Sequence, residues 1–262
     1  MKKTNFEEDA EKCTGCLKGT AVCPVYKSYG DHALYTNAGV GLIAGAYHME
    51  KWGLKLDESF IQSVYECTNC GACEQVCSAF LNVVDLVSHI RGMLVERGLV
   101  PSMIREALRN TLKYGNPWGK LQNRRDQWAE KLNVKRLANG EKNSFLFYVG
   151  CTSSYDTRCQ QVARSMVEVL NKAGVDYGIL GNEEKCCGDQ MLRMGEKGLF
   201  DMLAEQNMNL FESHKINGIV TLSPHGYNTF KNDYPSLGGK YEVQHYSQFL
   251  SELIEEGRLR FS

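Results

Sequence analysis

Apolar residues recur with two different patterns along the chain, and the pattern changes near residue 144. Before that point, stripes spaced three or four residues apart predict helices. These helices cover Leu56–Glu66, Val84–Arg97 and Pro101–Tyr114, and a mixed-charge helix is predicted over Leu121–Leu132. The N-terminal part is therefore expected to be α-helical.

After residue 144, short apolar runs typical of buried parallel strands alternate with amphipathic helices. The predicted strands are Phe145–Val149, Val175–Leu180, Gly218–Leu222 and Glu242–Tyr246. The intervening helices are Asp156–Lys172, Glu196–His214, Tyr227–Tyr234 and Ser247–Glu256. This alternation predicts an α/β domain with a wound parallel sheet, whose ligand site lies at the carboxyl ends of the strands.

Two stretches between these regions break the pattern. Asn116-Pro117-Trp118-Gly119 is a turn signal, and 131–142 is polar and mildly basic. The predicted organisation is a helical domain over 1–115, a linker over 116–143 and an α/β domain over 144–262.

Composition narrows the class of protein. Of 262 residues 43% are apolar, enough for a packed core, and the net charge of −1 does not favour nucleic acid as a partner. The eleven cysteines cluster in runs, and Met1 is followed by polar residues without a signal-peptide core. We therefore expect reduced thiols in the cytoplasm. The longest apolar candidate, Ala38–Tyr47, is too short to span a membrane, so any membrane association would come through a partner protein.

One cysteine run organises the N-terminal region. Cys67, Cys70, Cys73 and Cys77 follow the C-x2-C-x2-C-x3-C spacing that holds [4Fe–4S] clusters in bacterial ferredoxins. Zinc is the alternative, because paired C-x2-C also suits tetrahedral coordination. The compact run of four favours iron–sulfur.

An altered copy of this run lies upstream. Cys13, Cys16 and Cys23-Pro24 keep the frame, but Gly19 occupies the third ligand position. In two-cluster ferredoxins the fourth cysteine of each run serves the other cluster. The spacing thus predicts a complete [4Fe–4S] site with four ligands and a second site one ligand short. Three thiolates suit either a [3Fe–4S] cluster or a [4Fe–4S] cluster whose fourth iron takes a ligand other than these cysteines. The complete site comprises Cys23, Cys67, Cys70 and Cys73, and the deficient one Cys13, Cys16 and Cys77.

The predicted strand ends carry further cysteines. The first strand runs into Cys151, the second is followed by Cys186-Cys187-Gly188, and the third by Ser223-Pro224-His225-Gly226. Adjacent cysteines at a strand end favour a metal or redox site, although a cysteine pair alone is also compatible with two small buried residues. Cys159, inside a helix, is expected to belong to the core.

The spacing of Cys151, Cys186-Cys187-Gly188 and Ser223-x-x-Gly226 resembles the cysteine-rich "CCG" domain. Two ferredoxin runs followed by this domain resemble the D-type iron–sulfur subunits of heterodisulfide reductases. They are also similar to the iron–sulfur subunits of glycolate oxidase, anaerobic glycerol-3-phosphate dehydrogenase and lactate-utilisation complexes. The resemblance implies electron transfer, and in the reductases a noncubane cluster on the CCG cysteines that cleaves a disulfide.

The chain departs from that family at several positions. Gly19, Ser223 and Gly226 stand where the family has cysteines, and the sequence stops at Ser262, before the second CCG domain such subunits commonly carry. With two of its ligands replaced, the noncubane cluster is not expected to be intact at Cys151, Cys186 and Cys187. A degenerate homologue, a fragment and an altered sequence are all compatible with these departures.

Three functions remain open. The first is an iron–sulfur electron-transfer subunit that connects a flavoprotein, or another redox subunit, to an acceptor. The second is a thiol–disulfide reductase acting through Cys151, Cys186 and Cys187, and the third is a zinc-containing structural subunit. No catalytic residue is assigned.

Overall fold

The computed structural model describes residues 6–30, 39–137 and 145–260 of the chain. They divide into one compact unit within 1–105 and 191–197, and a second within 106–190 and 198–262. The division falls inside a helix on the N-terminal side. Residues 138–143 of the predicted linker lie outside the described part, and the predicted domain boundaries stay predictions.

All regular elements described in the first unit are helical. They are α1 (Phe6–Glu11), α2 (Lys18–Val22), α3 (Pro24–Tyr29), α4 (Gly39–Trp52), α5 (Glu58–Glu66), α6 (Ala72–Gln75), α7 (Val83–Glu96) and the start of α8 (Ser102–Tyr114). Helices α5, α7 and α8 confirm the predicted helices within two residues.

Local signals fix the starts of helices α5 and α7. The Asp57 side chain accepts a hydrogen bond from the Phe60 amide at 2.7 Å, and Asn82 accepts one from Asp85 at 3.2 Å. These are N-cap interactions, which satisfy amides that have no partner within the helix. The apolar faces of both helices enter one core with α4, in which Val64, Leu86 and Leu42 are almost fully buried.

The second unit contains a parallel sheet with the order β1-β2-β3. The strands are β1 (Leu146–Tyr148), β2 (Gly218–Thr221) and β3 (Glu242–His245), with Phe147 opposite Val220 and Val220 opposite Gln244. The helices described after β1 are α9 (Gly150–Tyr155), α10 (Thr157–Lys172), α11 (Asp189–Arg193), α12 (Lys197–Ser213), α13 (Pro224–Asn228) and α14 (Tyr246–Glu255). The predicted parallel α/β arrangement is confirmed for these three strands.

Three predicted elements differ from the structure. The segment Val175–Leu180, predicted as a strand, makes only isolated bridges. Gly178 pairs with Leu146 and Ile179 pairs with Arg136, so neighbouring residues of the segment have partners in two different parts of the chain. The helix predicted over Leu121–Leu132 is instead two 3₁₀ turns, which turn Arg125 and Trp128 into the interior. The helix predicted at Tyr227 already begins at Pro224, because Ser223 caps it.

Within the described ranges, no helix has both the length and the apolar character needed to cross a membrane.

Candidate functional site

The two cysteine runs follow the same backbone path. The residue before the second cysteine is left-handed in both runs, Gly15 at φ 66° and Asn69 at φ 52°. The residue after it is also left-handed, Leu17 at φ 57° and Gly71 at φ 73°, and each of these begins a short helix. Leucine rarely adopts this conformation, so the loop shape is retained even where the sequence disfavours it.

Four cysteines of the first unit line one cavity. Cys23 comes from the upstream run and Cys67, Cys70 and Cys73 from the downstream run. The rest of the lining is largely apolar, with Val83, Val84 and Val87 of α7 among its residues. The structure thus brings together the four residues predicted as the complete site.

A second cavity in this unit is lined by the three remaining cysteines of the runs. Cys13, Cys16 and Cys77 lie around it together with Gly19, and Cys73 also contributes to its wall. A Cβ atom placed on Gly19 would lie 3.1 Å from the Cβ of Cys73, which shows that position 19 faces its counterpart in the other run. The three cysteines of the predicted deficient site therefore also lie around one cavity, and Gly19 occupies the position where the missing cysteine ligand is predicted.

Backbone amides donate hydrogen bonds to the sulfur atoms of Cys23 and Cys77, the last cysteine of each run. The Tyr26 amide donates to Cys23 Sγ at 3.4 Å, where Cys23 caps α3 ahead of Pro24, and the Leu81 amide donates to Cys77 Sγ at 3.4 Å. Hydrogen bonds to sulfur stabilise thiolate charge and influence the reduction potential of a cluster. Each final cysteine is thus held by the helix or turn that follows it.

Burial disfavours thiolates in the complete set when no metal is bound. It raises the pKa of Cys73 to about 11 and also raises the pKa of Cys67. Thiolates become favourable there only with a strong positive partner, which iron supplies. Four convergent thiols with amide donors and an apolar wall fit a [4Fe–4S] cluster.

In the second unit, another cavity lies beyond the carboxyl end of β1. Cys151, Cys186 and Cys187 line it, together with Ser223 and His225. Cys186 is close enough to Cys151 and Cys187 for both to influence its pKa. The sequence-predicted trio is therefore brought together, whereas Cys159 lies outside this cavity.

The replaced family positions have other roles. Ser223 caps α13, its hydroxyl accepting from the Gly226 amide at 3.5 Å. A Cβ atom on Gly226 would lie 3.1 Å from Thr221 Oγ1, so a larger residue would require a small shift. Neither position contributes a strong iron ligand.

A match to family models decides what this arrangement is. Residues 9–81 match the 4Fe-4S dicluster domain and residues 145–231 match the cysteine-rich CCG domain. The chain therefore contains a 4Fe-4S dicluster domain followed by a cysteine-rich CCG domain. The first covers all seven cysteines of the two runs, and the second covers Cys151, Cys186 and Cys187.

Curated relatives match this chain over only part of their own length. The chain is 37% identical over 205 residues to the EtfAB:quinone oxidoreductase of Syntrophomonas wolfei and 40% identical over 207 residues to the probable iron–sulfur-binding oxidoreductase FadF of Bacillus subtilis. Each alignment covers 76% of this chain and 29% of the relative. The chain is also 30% identical over 272 residues to the D-type subunit of the dihydromethanophenazine:CoB–CoM heterodisulfide reductase of Methanosarcina barkeri, covering 97% of this chain and 65% of that protein.

These homologues are iron–sulfur oxidoreductases and oxidoreductase subunits, which supports an electron-transfer role for the chain. No solved structure matches it.

The second unit also contains a buried ion pair that the sequence did not reveal, between Arg125, which precedes the CCG match, and Glu184 within it. Arg125 Nη2 lies 2.7 Å from Glu184 Oε1, and the two side chains are 1% and 3% exposed. Glu184 also accepts from the amides of Val149 and Gly150 at 3.0 and 2.9 Å, while Arg125 Nη1 lies 3.5 Å from Cys151 Sγ. The pair therefore fixes the strand-to-helix turn that presents Cys151.

A second polar group borders the same cavity. Nδ1 of His225 lies 2.8 Å from Oδ2 of buried Asp189, whose Oδ1 accepts from Thr229 at 2.8 Å. One feature of the sequence indicated this pair, namely that Asp189 directly follows Cys186-Cys187-Gly188. The carboxylate orients the imidazole at the rim of the cavity that the three thiols line.

Two thiols of the CCG trio, those of Cys151 and Cys186, are held in the neutral form. The hydrogen bond with Cys186 and burial raise the pKa of Cys151 well above its usual value, although Arg125 opposes this. The hydrogen bond with Cys151 lowers the pKa of Cys186, but the hydrogen bond with Cys187 and burial outweigh it and raise this pKa to about 12. Without metal, neither of these two cysteines is a ready nucleophile.

Proposed function

We propose that the chain is an iron–sulfur electron-transfer subunit that relays electrons between a flavoprotein, or another redox subunit, and an acceptor. The main support is the gathering of Cys23, Cys67, Cys70 and Cys73 around one cavity of the dicluster domain. We assign these four to one [4Fe–4S] cluster, and Cys13, Cys16 and Cys77 to a second cluster that lacks one cysteine ligand. When bound, such clusters accept and release single electrons.

The residues of the chain determine where those electrons are held. The thiols fix cluster position, the amides of Tyr26 and Leu81 stabilise charge on sulfur, and α7 shields the first cavity from water. Low exposure and hydrogen bonds to sulfur are the features by which proteins adjust cluster potentials. The described part of the dicluster domain therefore supplies the features that an electron relay requires.

Restoring the missing cysteine tests the deficient site. Gly19→Cys should raise the iron content by about one atom per chain and convert a three-iron EPR signal to a four-iron signal. The new Cβ atom would lie 3.1 Å from that of Cys73, so a displacement of a few tenths of an ångström is enough to admit it. Iron analysis and EPR of anaerobically purified protein measure the change.

Gly19→Ala is the matched control, because it adds the same Cβ atom without a thiol. It should leave the three-iron signal in place. Identical spectra for the two variants, or two complete four-iron clusters in the unaltered protein, would contradict the proposed deficiency.

We propose that the CCG domain holds no intact noncubane cluster and docks a redox partner. Ser223 is engaged as a helix cap, Gly226 has no side chain, and Glu184 neutralises the one buried cation next to Cys151. A cluster with several thiolates carries negative charge, and this cavity has no uncompensated buried cation among its described residues. The partner could itself be membrane-bound.

Replacing the CCG cysteines tests this assignment. The double variant Cys151→Ser/Cys186→Ser should retain the iron content of the unaltered protein and pass electrons from dithionite to an artificial one-electron acceptor at an unchanged rate. The physical reason is that both proposed clusters lie on the other cysteine runs. Iron analysis and anaerobic stopped-flow absorbance provide the two measurements.

A thiol–disulfide reductase is the second candidate, favoured by the contact of three thiols beside the His225–Asp189 pair. Cleaving a disulfide requires two electrons and two protons, and this pair is placed to deliver protons. The reductase function would replace the relay function if the unaltered protein turned over a heterodisulfide, and if the double variant lost both this activity and about four irons.

A further inference from the structure

Arg91 of α7 is buried in the dicluster domain and holds the loop that begins the downstream cysteine run. Only 5% of it is exposed. Its Nη2 donates to the carbonyl of Cys67 at 2.5 Å and to that of Val64 at 2.8 Å, and Nε donates to Val64 at 3.2 Å. Its Nη1 donates to the Arg193 carbonyl at 2.8 Å. The guanidinium therefore fixes the backbone of a proposed cluster ligand.

The charge of Arg91 has no carboxylate partner among the described residues. Its hydrogen-bond acceptors are main-chain carbonyls, and its ring contact is with Tyr65, 5.4 Å from the ring centroid. Arg125 in the second unit is buried to a similar degree but is paired with Glu184 at 2.7 Å. A buried charge is costly unless an opposite charge lies nearby.

The opposite charge for Arg91 would come from the proposed cluster ligands. The guanidinium donates to the carbonyl of Cys67, which lines the cavity together with Cys23, Cys70 and Cys73. Cysteines bind iron as thiolates, so a bound cluster would place negative charge close to this buried cation.

We propose that Arg91 is the counter-charge of the cluster on Cys23, Cys67, Cys70 and Cys73, and that it raises the reduction potential of that cluster. This inference rests on the proposed ligand set. Each electron that enters the cluster adds a negative charge, and a fixed cation in a region of low dielectric stabilises the reduced form more than the oxidised form. Arg91 acts through this field and through the backbone of Cys67, as a positioning residue.

The test compares Arg91→Met with Arg91→Lys in the full chain, purified anaerobically with its clusters. EPR-monitored redox titration should give a lower potential for Arg91→Met, and a smaller shift for Arg91→Lys, which keeps the charge. Arg105→Met is the matched control. Arg105 also donates to main-chain carbonyls, those of Gly98 and Val100, but it is exposed, whereas Arg91 is buried and donates to the Cys67 carbonyl. The reduction potential of the cluster in Arg105→Met should equal that in the unaltered protein.

Several outcomes would overturn the inference. A cluster-loaded Arg91→Met with unchanged potential would do so, as would equal shifts in the Met and Lys variants. If Arg91→Met folds but retains no cluster, retention by Arg91→Lys supports the counter-charge role, and loss from both contradicts it. Cys70→Ala separates this inference from the ligand assignment, because a cluster unaffected by that change would refute the ligand set itself.

Discussion

Replacing Cys70 with alanine should abolish the reduced [4Fe–4S] EPR signal of the complete site. Three thiols would remain around the cavity, at Cys23, Cys67 and Cys73, and they coordinate only three corners of a cube, so the fourth iron loses its cysteine ligand. The expected loss is about one to four irons per chain, depending on whether a three-iron cluster survives. Iron and sulfide analysis with EPR at several potentials measures it.

Cys70 is the most informative of the four cysteines for this test. Cys23 caps α3, the Cys67 carbonyl accepts from Arg91, and Cys73 lines both cavities. Cys70 is exposed and forms no hydrogen bond through its sulfur in the described part of the chain. Its removal therefore tests ligation with little effect on folding.

Cys159→Ala provides the control. This cysteine lies in α10, outside the three cysteine-lined cavities, so both clusters and the iron content should be unchanged. An undiminished four-iron signal in Cys70→Ala, or an equal loss in the two variants, would contradict the assignment of Cys70 as a ligand.

The sequence predicted those features that depend on nearby residues. Helices α5, α7 and α10 have apolar stripes, and capping residues stand at their starts, so each was located within two residues of its bounds. The cysteine framework was also readable, because repeated spacing constrains where thiols can meet. Gly19 was recognised as a missing ligand by alignment of one run with the other.

Long-range pairing was not predictable in the same way. Arg125 and Glu184 are separated by 59 positions, and neither lies in a pattern that distinguishes it from a surface charge. The segment around Arg125 was predicted as a mixed-charge helix. It forms 3₁₀ turns instead, and these place the Arg125 guanidinium in the interior of the second unit. Arg91 was likewise hidden, in an otherwise correctly predicted helix, because one charged residue in an apolar stripe carries no signal of its partner.

Glu184→Gln should destabilise the CCG domain by about 3–5 kcal/mol, the usual cost of removing one member of a buried ion pair. The change leaves the charge of Arg125 buried beside a neutral amide, and the amides of Val149 and Gly150 lose a charged acceptor. Denaturant unfolding followed by tryptophan fluorescence reports on it, because Trp128 is buried in the core of this unit.

Glu256→Gln is the matched control, because it removes the same charge from a pair with Arg258 in which both side chains are well exposed, at an N–O distance of 3.5 Å. Exposed pairs contribute about 0–1 kcal/mol, so the transition should hardly move. Equal shifts in the two variants would contradict a structural role for the buried pair.

A charge-free double variant, Arg125→Met/Glu184→Leu, separates the cost of the unpaired charge from the loss of the turn. Removing both charges eliminates the buried, uncompensated guanidinium, so the double variant should be more stable than Glu184→Gln alone. Recovery should be incomplete, because the amides of Val149 and Gly150 then have no side-chain acceptor, and each unsatisfied buried amide costs about 1–3 kcal/mol. A double variant less stable than Glu184→Gln would show that the hydrogen bonds to the turn before Cys151, rather than the charge balance, dominate the contribution of this pair.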